Sequence, residues 1–380
     1  MSQHPDVVIV GAGITGAACA YAATNAGLDV TVIDRSGVAA GTTGAGEGNI
    51  LVSDKEPGPE LDLALWSGQL WREWAESLGP VELELKGGLV VAAQPSSLTA
   101  LKELAGAQSA AGVVAEDVSV GALADREPRL APDLVGGVFY PQDMQVQPML
   151  AAARLLRAAR DKGAQVLKNA EMSGLRAGSR GLTVRTTRGD ISTRYVVNAA
   201  GTWGGEVSRR MNAEVPVLPR RGFILVTEPL PPKIIRHKVY TADYVANVAS
   251  SDEGLETSTV IESTLSGTIL IGASRERVGF DRTLSIPALT TLARQACALF
   301  PFLADVKALR TYRGFRPYCP DHLPVIGPDP RADGVLHACG HEGAGIGLAP
   351  ATGTLIANML TGALPGQVDP APFGPARFIA

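Results

Sequence analysis

The chain of 380 residues is short of five things, and each shortage narrows its class. Cysteine occurs only at Cys19, Cys297, Cys319 and Cys339, scattered and never in a CxxC spacing. That argues against an iron–sulfur or zinc site within the chain and points to a reducing compartment, so a cytoplasmic location is expected. No apolar run of about 18 residues is present, which leaves nothing to span a membrane as a helix. The opening MSQHPDVVIV has neither a charged leader nor a long apolar core, so no signal peptide is expected. Basic runs are missing too, and a net charge of −4 speaks against nucleic acid as the main partner. Finally, no internal repeat of fixed period stands out. What remains is 46% hydrophobic and 19% charged, ordinary for a soluble globular enzyme with two domains or one large insertion.

The most informative stretch runs from Asp6 to Arg35. An apolar run, Val7–Val10, leads into Gly11, Gly13 and Gly16, then a helix of small residues, then a second apolar run ending at Asp34. Gly11 permits the tight turn from strand to helix, Gly13 lets the backbone approach a pyrophosphate, and Gly16 lets helix and strand pack closely. The phosphates would meet free N–H groups at the start of a helix near Ile14. Asp34 is placed to accept hydrogen bonds from a ribose diol. Strand, turn, helix and acid together predict a dinucleotide-binding βαβ unit.

Further along, Ser36–Asn49 holds GTTGAGEGN, readable as a backbone that wraps a ligand or as a mobile surface loop. Glu60–Leu78 has helical spacing behind a Pro-Gly-Pro breaker, with Trp66, Trp71 and Trp74 as core packing. Val81–Ala93 shifts to strand patterning around Gly87 and Gly88; a helix follows over Ser96–Ala111, then a Pro/Gly-punctuated stretch to about Pro141. Gln147–Lys162 reads as a helix with Leu150, Leu155 and Leu156 inward. Gln165–Asn198 reads as several strands ending in RYVVNAAGTW, where a buried strand again brings backbone toward a ligand. Pro216 to about Arg310 is strand-rich (FILVT, YVANV, STVIE, GTILIGAS), with one helix near Ile286–Phe300. A short strand at Val335–Ala338 precedes GHEGAGIGLAPATG and a last helix over Leu348–Leu360; the final dozen residues look loose. His337, Cys339 and His341 raise a metal reading, but flanking glycines preclude a rigid ligand-bearing helix and no carboxylate completes a shell, so no metal is expected.

Four motifs in order, GAGITG with Asp34, the TTGAGEGN loop, VVNAAGTW, and FRP…PVIG followed by GHEGAGIGLAP, resemble the D-amino-acid-oxidase-like family of FAD enzymes. The likeness covers nearly the whole chain. It is nearest the glycine oxidase, sarcosine oxidase and hydroxyproline dehydrogenase branch, and EGNILVSDKEPGPELDLAL with HEGAGIGLAPATG looks most like the catalytic subunits of D-hydroxyproline dehydrogenases and opine oxidases. The resemblance implies an α/β plus β architecture: a discontinuous Rossmann-type FAD-binding domain (1–80, 142–215 and 311–380) and a sheet-dominated substrate domain (81–141 and 216–310). It places Ile14 and Thr15 at the pyrophosphate, Asp34 and Arg35 at the adenosine ribose, and Thr42, Thr43, Glu47, Gly48 and Asn49 along the pyrophosphate and flavin. Met172 would offer its backbone to adenine, and Ala200 and Gly201 would close on the cofactor. His341, Glu342, Gly343, Ala344, Gly345, Ile346 and Gly347 would line the isoalloxazine, where helix-start N–H groups would stabilise an anionic reduced ring. The family commonly has Glu where Asp34 stands; the acceptor chemistry is the same.

By the same resemblance Arg316 holds the substrate carboxylate, a task suited to a bidentate guanidinium; a salt bridge is its plainer reading. Tyr244 is a substrate contact or core packing, and Glu262, Arg275 and Tyr318 are weaker candidates. Glycine oxidase has a second arginine where this chain has Gly343, implying a roomier pocket. The position matching the flavin-attaching cysteine of sarcosine oxidases is Gly314, so non-covalent FAD is expected. The implied reaction is oxidation of the Cα–N bond of an amino acid, a cyclic, secondary or D-amino acid such as D-hydroxyproline, by hydride transfer to flavin N5, giving an imine. Desolvation would keep the amine neutral, so no strong base is required. Electrons would pass to small iron–sulfur partner subunits, since this chain has no cluster ligands, or to O2 with formation of peroxide. An NAD(P)-dependent reductase and a non-catalytic flavoprotein subunit are the readings from other classes.

Overall fold

The β-branched run VVIV has no polar side chain to solvate, and it forms a fully buried strand, Val7–Val10, at the centre of a six-stranded sheet. The computed structural model describes residues 4–178, 181–248 and 250–379. The sheet runs in the order Val325–Pro328, Val335–Cys339, Tyr195–Asn198, Val7–Val10, Val30–Asp34 and Gln165–Lys168, with Ile9 opposite both Val197 and Val32. Its pairings are parallel except for Val325–Pro328 against Val335–Cys339. Helix Ile14–Asn25 is apolar on all sides and accordingly buried, packed between helices Pro148–Asp161 and Ala349–Thr361. Its small residues allow close approach: a Cβ on Gly353 would sit 2.6 Å from the Ala18 carbonyl.

An eight-stranded sheet makes the second layer, in the order Ala308–Tyr318, Leu218–Thr227, Ile269–Arg275, Glu256–Ser263, Lys238–Thr241, Gly88–Ala92, Gly136–Tyr140 and Glu116–Val118. Helix Ile286–Leu299 covers it with Leu289, Leu292, Ala296 and Leu299 inward, and the Ser285 hydroxyl caps its start by accepting from the Ala288 N–H. Each such leucine taken from water contributes roughly 1.5–3 kcal/mol. A three-stranded sheet, Met172–Gly178, Gly181–Thr186 and Gly189–Thr193, stands beside the first.

The structure corrects or sharpens the sequence reading at four places. YVANV is no strand: Ala242–Val248 is helical, with Asp243 in its first turn, where a carboxylate complements the helix dipole. The Pro/Gly-punctuated stretch before Pro141 holds two strands, Glu116–Val118 and Gly136–Tyr140, and helix Val120–Arg126. The terminal residues are anchored: Phe373 is fully buried, and Arg377 pairs with Asp321 at 2.6 Å while donating to the Leu323 and Pro324 carbonyls. The division at 310/311 falls inside the continuous strand Ala308–Tyr318, so the eight-stranded sheet extends to Tyr318.

Candidate functional site at the junction of a cleft and a cavity

The βαβ turn is built as its glycines require. Gly11 has φ +117°, and its N–H donates to the Ile33 carbonyl at 2.8 Å. Gly13 is the N-cap of helix Ile14–Asn25 and supplies no side-chain cap; the Ile14 N–H instead donates to Thr43 Oγ1 at 3.0 Å. Asp34 accepts from the Ala12 N–H at 2.9 Å and the Ser36 N–H at 2.7 Å, so it braces the turn and also lines the cleft beside it. The Arg35 guanidinium lies 4.0 Å over the Trp203 ring.

That cleft brings together Gly11, Gly13, Ile14, Thr15, Asp34, Arg35, Thr42, Thr43, Glu47, Asn49, Met172, Ala200, Gly201, His341, Glu342, Gly343, Gly345 and Ile346, with Tyr244 and Arg316 at one end. Four of the expected residues do not line it. Gly16 is packed against the Gly11 carbonyl and Gly48 against the Val146 carbonyl, a Cβ on Gly347 would sit 3.3 Å from the Ile50 Cα, and Ala344 faces a neighbouring cavity. These three glycines serve backbone packing. Sequence reasoning passed over Trp203, Phe315, Gly222 and Arg210, which line the cleft. Trp203 follows the Ala-Ala-Gly turn directly, and that adjacency was the available signal.

The Thr42–Ala45 turn is fastened to the far sheet. Thr42 Oγ1 and Thr202 Oγ1 both donate to the Phe315 carbonyl, at 2.8 and 2.5 Å. Glu47 lies over Gly272, where a Cβ would overlap Glu47 Oε1. Behind it Lys238 pairs with Glu262 at 2.5 Å and Glu47 at 3.9 Å, all buried. Burial alone would lower the Lys238 ammonium; Glu262 and Glu47 outweigh it and hold the pKa above the ordinary value. Burial raises the Glu47 carboxyl against the pull of Lys238. Glu262, which also accepts from the Gly48 N–H at 3.1 Å, is thus a brace outside the cleft.

Next to the cleft is a cavity of about 580 Å³; Tyr244, Arg316, His341, Glu342 and Gly343 line both. Arg316 sits over Gly222 and 3.9 Å from the position a Gly343 Cβ would take; its Nη1 donates to the Ser274 carbonyl at 2.7 Å. Burial and then the neighbouring Arg275 lower its pKa. His341, buried, is pushed down to about 4 and is neutral near pH 7; its Nε2 is 3.0 Å from Thr352 Oγ1. Burial raises the Tyr244 phenol, keeping it protonated. Arg275 lines the cavity, whereas Tyr318 lies beneath Arg220 and Arg277. His337 is engaged with Asn198 and Asp329, and among the described residues no three His, Cys, Asp or Glu are grouped to hold a metal ion.

Two buried acceptors in the cleft wall, Glu47 Oε1 and Asn49 Oδ1, have no partner. Buried acceptors of this kind call for a donor. In the same cleft the helix start at Gly13 offers N–H groups to an anion. A ligand with donor-bearing rings at its ends and a pyrophosphate between them, as FAD has, matches both features. A sequence model of the family described as FAD dependent oxidoreductase (DAO) matches residues 6–359. The chain belongs to that family and is an FAD-dependent enzyme of the amino acid oxidase and dehydrogenase kind.

Its relatives narrow the likeness. Hydrogen cyanide synthase subunit HcnC of Pseudomonas protegens is 30% identical over 100% of this chain and 97% of its own. Glycine oxidase of Pseudomonas aeruginosa is 31% identical, covering 97% of this chain and 98% of its own. The crystal structure of glycine oxidase from Geobacillus kaustophilus superposes with TM-score 0.90 at 27% identity, covering 99% of this chain and all of that one. No helix among the described residues is long and apolar enough to cross a membrane.

Proposed function

We propose that this enzyme oxidises the Cα–N bond of an amino acid to an imine, the amine being secondary or borne on a D-centre, with D-hydroxyproline the first substrate to try. The observation that carries the reading is Arg316, half-buried where cleft and cavity meet. On this reading the segments around the six-stranded sheet hold the cofactor, the eight-stranded sheet as far as Tyr318 holds the substrate, and Arg316 fixes the carboxylate by charge-assisted hydrogen bonds. The protonated Tyr244 phenol donates to the same group or to the amine. Neutral His341 takes no proton at working pH. The buried walls favour the uncharged amine, the form with a lone pair free to stabilise the imine as it forms.

FAD would be held without a covalent bond by Gly11, Gly13, Ile14, Thr15, Asp34, Arg35, Thr42, Thr43, Glu47, Asn49, Met172, Ala200, Gly201, His341, Glu342, Gly343, Gly345 and Ile346. Gly314 lines the cleft, and among the described residues no cysteine does. When bound, FAD supplies the two-electron acceptor. The HcnC relatives are named as subunits, which supports a protein partner, such as a small iron–sulfur subunit, as the next electron carrier. The glycine oxidase relatives support a second reading in which O2 takes the electrons and yields peroxide. An anaerobic screen of D- and L-amino acids, N-methyl amino acids and prolines for bleaching of the holoenzyme tests the reaction. Bleaching by at least one supports it; a flavin that stays oxidised with all of them defeats it. Aerobic turnover with and without a dye acceptor then separates the two acceptors.

A further inference from the structure

Behind the cleft wall one lysine faces two acids. Lys238, from strand Lys238–Thr241, lies 2.5 Å from Glu262 Oε2 and 3.9 Å from Glu47 Oε2. The three residues are 1%, 0% and 8% exposed, in that order. Ionised, the group carries one more negative charge than it pairs internally. A buried charge without its counter-charge is expensive, and the usual remedy is a proton on one member.

Hydrogen bonding singles out that member. Glu262 has both oxygens engaged, Oε2 with Lys238 and Oε1 with the Gly48 N–H at 3.1 Å. Glu47 Oε2 accepts from Asn49 Nδ2 at 3.1 Å, but Glu47 Oε1 has no donor and lies in the cleft wall against the Gly272 backbone. Burial raises the Glu47 carboxyl; Lys238 pulls it down, Glu262 pushes it up again, and Asn49 and Arg316 lower it by less. The phenols of Tyr312, on strand Ala308–Tyr318, and Tyr244, on helix Ala242–Val248, feel the Glu47 charge and are kept protonated chiefly by burial. On the far side Lys86, whose ammonium burial lowers against the pull of Glu262, leads toward the surface. Its Nζ donates to the Ser263 carbonyl at 2.6 Å and lies 3.3 Å from the partly exposed Glu84.

We infer that Glu47 is a proton store for the bound flavin, taking one proton from solvent as two electrons arrive in the cleft and returning it as they leave. Two electrons accompanied by a single proton add one negative charge to the cleft. A new like charge beside a carboxylate already short of donors raises its affinity for a proton. The bond made is one O–H on Glu47, with the proton drawn from water and the electrons from the amine or any other reductant. Lys238 stays charged, held by Glu262, so the change falls on Glu47. The inference needs bound FAD and holds for any substrate, so it stands apart from the amino acid reaction proposed above.

The test reduces the holoenzyme electrochemically, without substrate, and follows the flavin midpoint potential from about pH 6 to about pH 9, where the slope counts protons taken up per two electrons. Wild type is expected to show a stretch of two-proton slope. Over that stretch Glu47→Gln is expected to take up about one proton fewer. Glu262→Gln removes the like charge beside Glu47 and is expected to move the stretch to lower pH. A Glu47 with only a packing role would leave it in place. A wild-type slope of one proton throughout overturns the proton store, and so does a two-proton stretch that survives unchanged in Glu47→Gln. If Glu47→Gln does not retain FAD, Glu262→Gln decides: a stretch shifted to lower pH supports the store, and an unshifted one overturns it.

Discussion

The cleft and the cavity meet at five residues yet are made of different material. The cleft offers backbone: a glycine turn, a helix start whose first N–H is held by Thr43, and a carbonyl held in place by threonine hydroxyls. The cavity offers long charged side chains drawn from three strands. Backbone recognition is fixed locally by chain geometry and suits a large invariant ligand. Guanidiniums crowded in a buried space cost folding free energy and return it only when an anion arrives. On the proposed reading one half is a cradle, the other a selector.

Substitutions that act on one half and spare the other sharpen this contrast. The largest effect is expected from Arg316→Ala, which should lower kcat/KM on the order of a thousandfold. The flavin absorbance of the purified protein should be unchanged; loss of colour instead would put Arg316 on the cofactor side. Lys238→Met strips the cation from Glu47 and Glu262 and should destabilise by roughly 3–5 kcal/mol, read as a lower midpoint in denaturant, while Lys238→Met with Glu262→Leu should recover part of it. A smaller effect is pH-dependent. The folded His341 pKa of about 4 lies below the ordinary 6.5, so the unfolded chain binds the extra proton, and stability falls as pH drops from 6.5 to about 4, then levels. The total is about 3 kcal/mol, and His341→Gln should flatten that portion of the stability curve. Smallest is Thr43→Val, which removes the acceptor of the Ile14 N–H and should cost about 1 kcal/mol, loosening FAD retention in dialysis and leaving the substrate KM nearly unaltered.

The same contrast explains what could be read before any coordinates. The GAGITG turn and Asp34 were legible because strand, turn and helix are consecutive in the chain and each residue acts on its neighbours. Arg316 was proposed from the FRP motif, and it lines both cleft and cavity. The clustering of Arg220 with Arg316 was not, since they are brought opposite each other only by a strand register spanning nearly a hundred residues. Gly16, Gly48 and Gly347 mark the limit of composition: a glycine that admits a ligand and one that admits another backbone look alike in sequence. YVANV misled because β-branched and aromatic residues suggest strand, while its packing on the Glu256–Ser263 strand holds it as a helix.

The Phe315 carbonyl accepts from Thr42 and Thr202, and the next residue along the same strand is Arg316. A single peptide thus ties the floor of the cradle to the selector's principal side chain. Heat or denaturant that frees this knot would release the flavin and misplace the acid-holding arginine in one event, so cofactor loss and loss of substrate affinity should share a common midpoint.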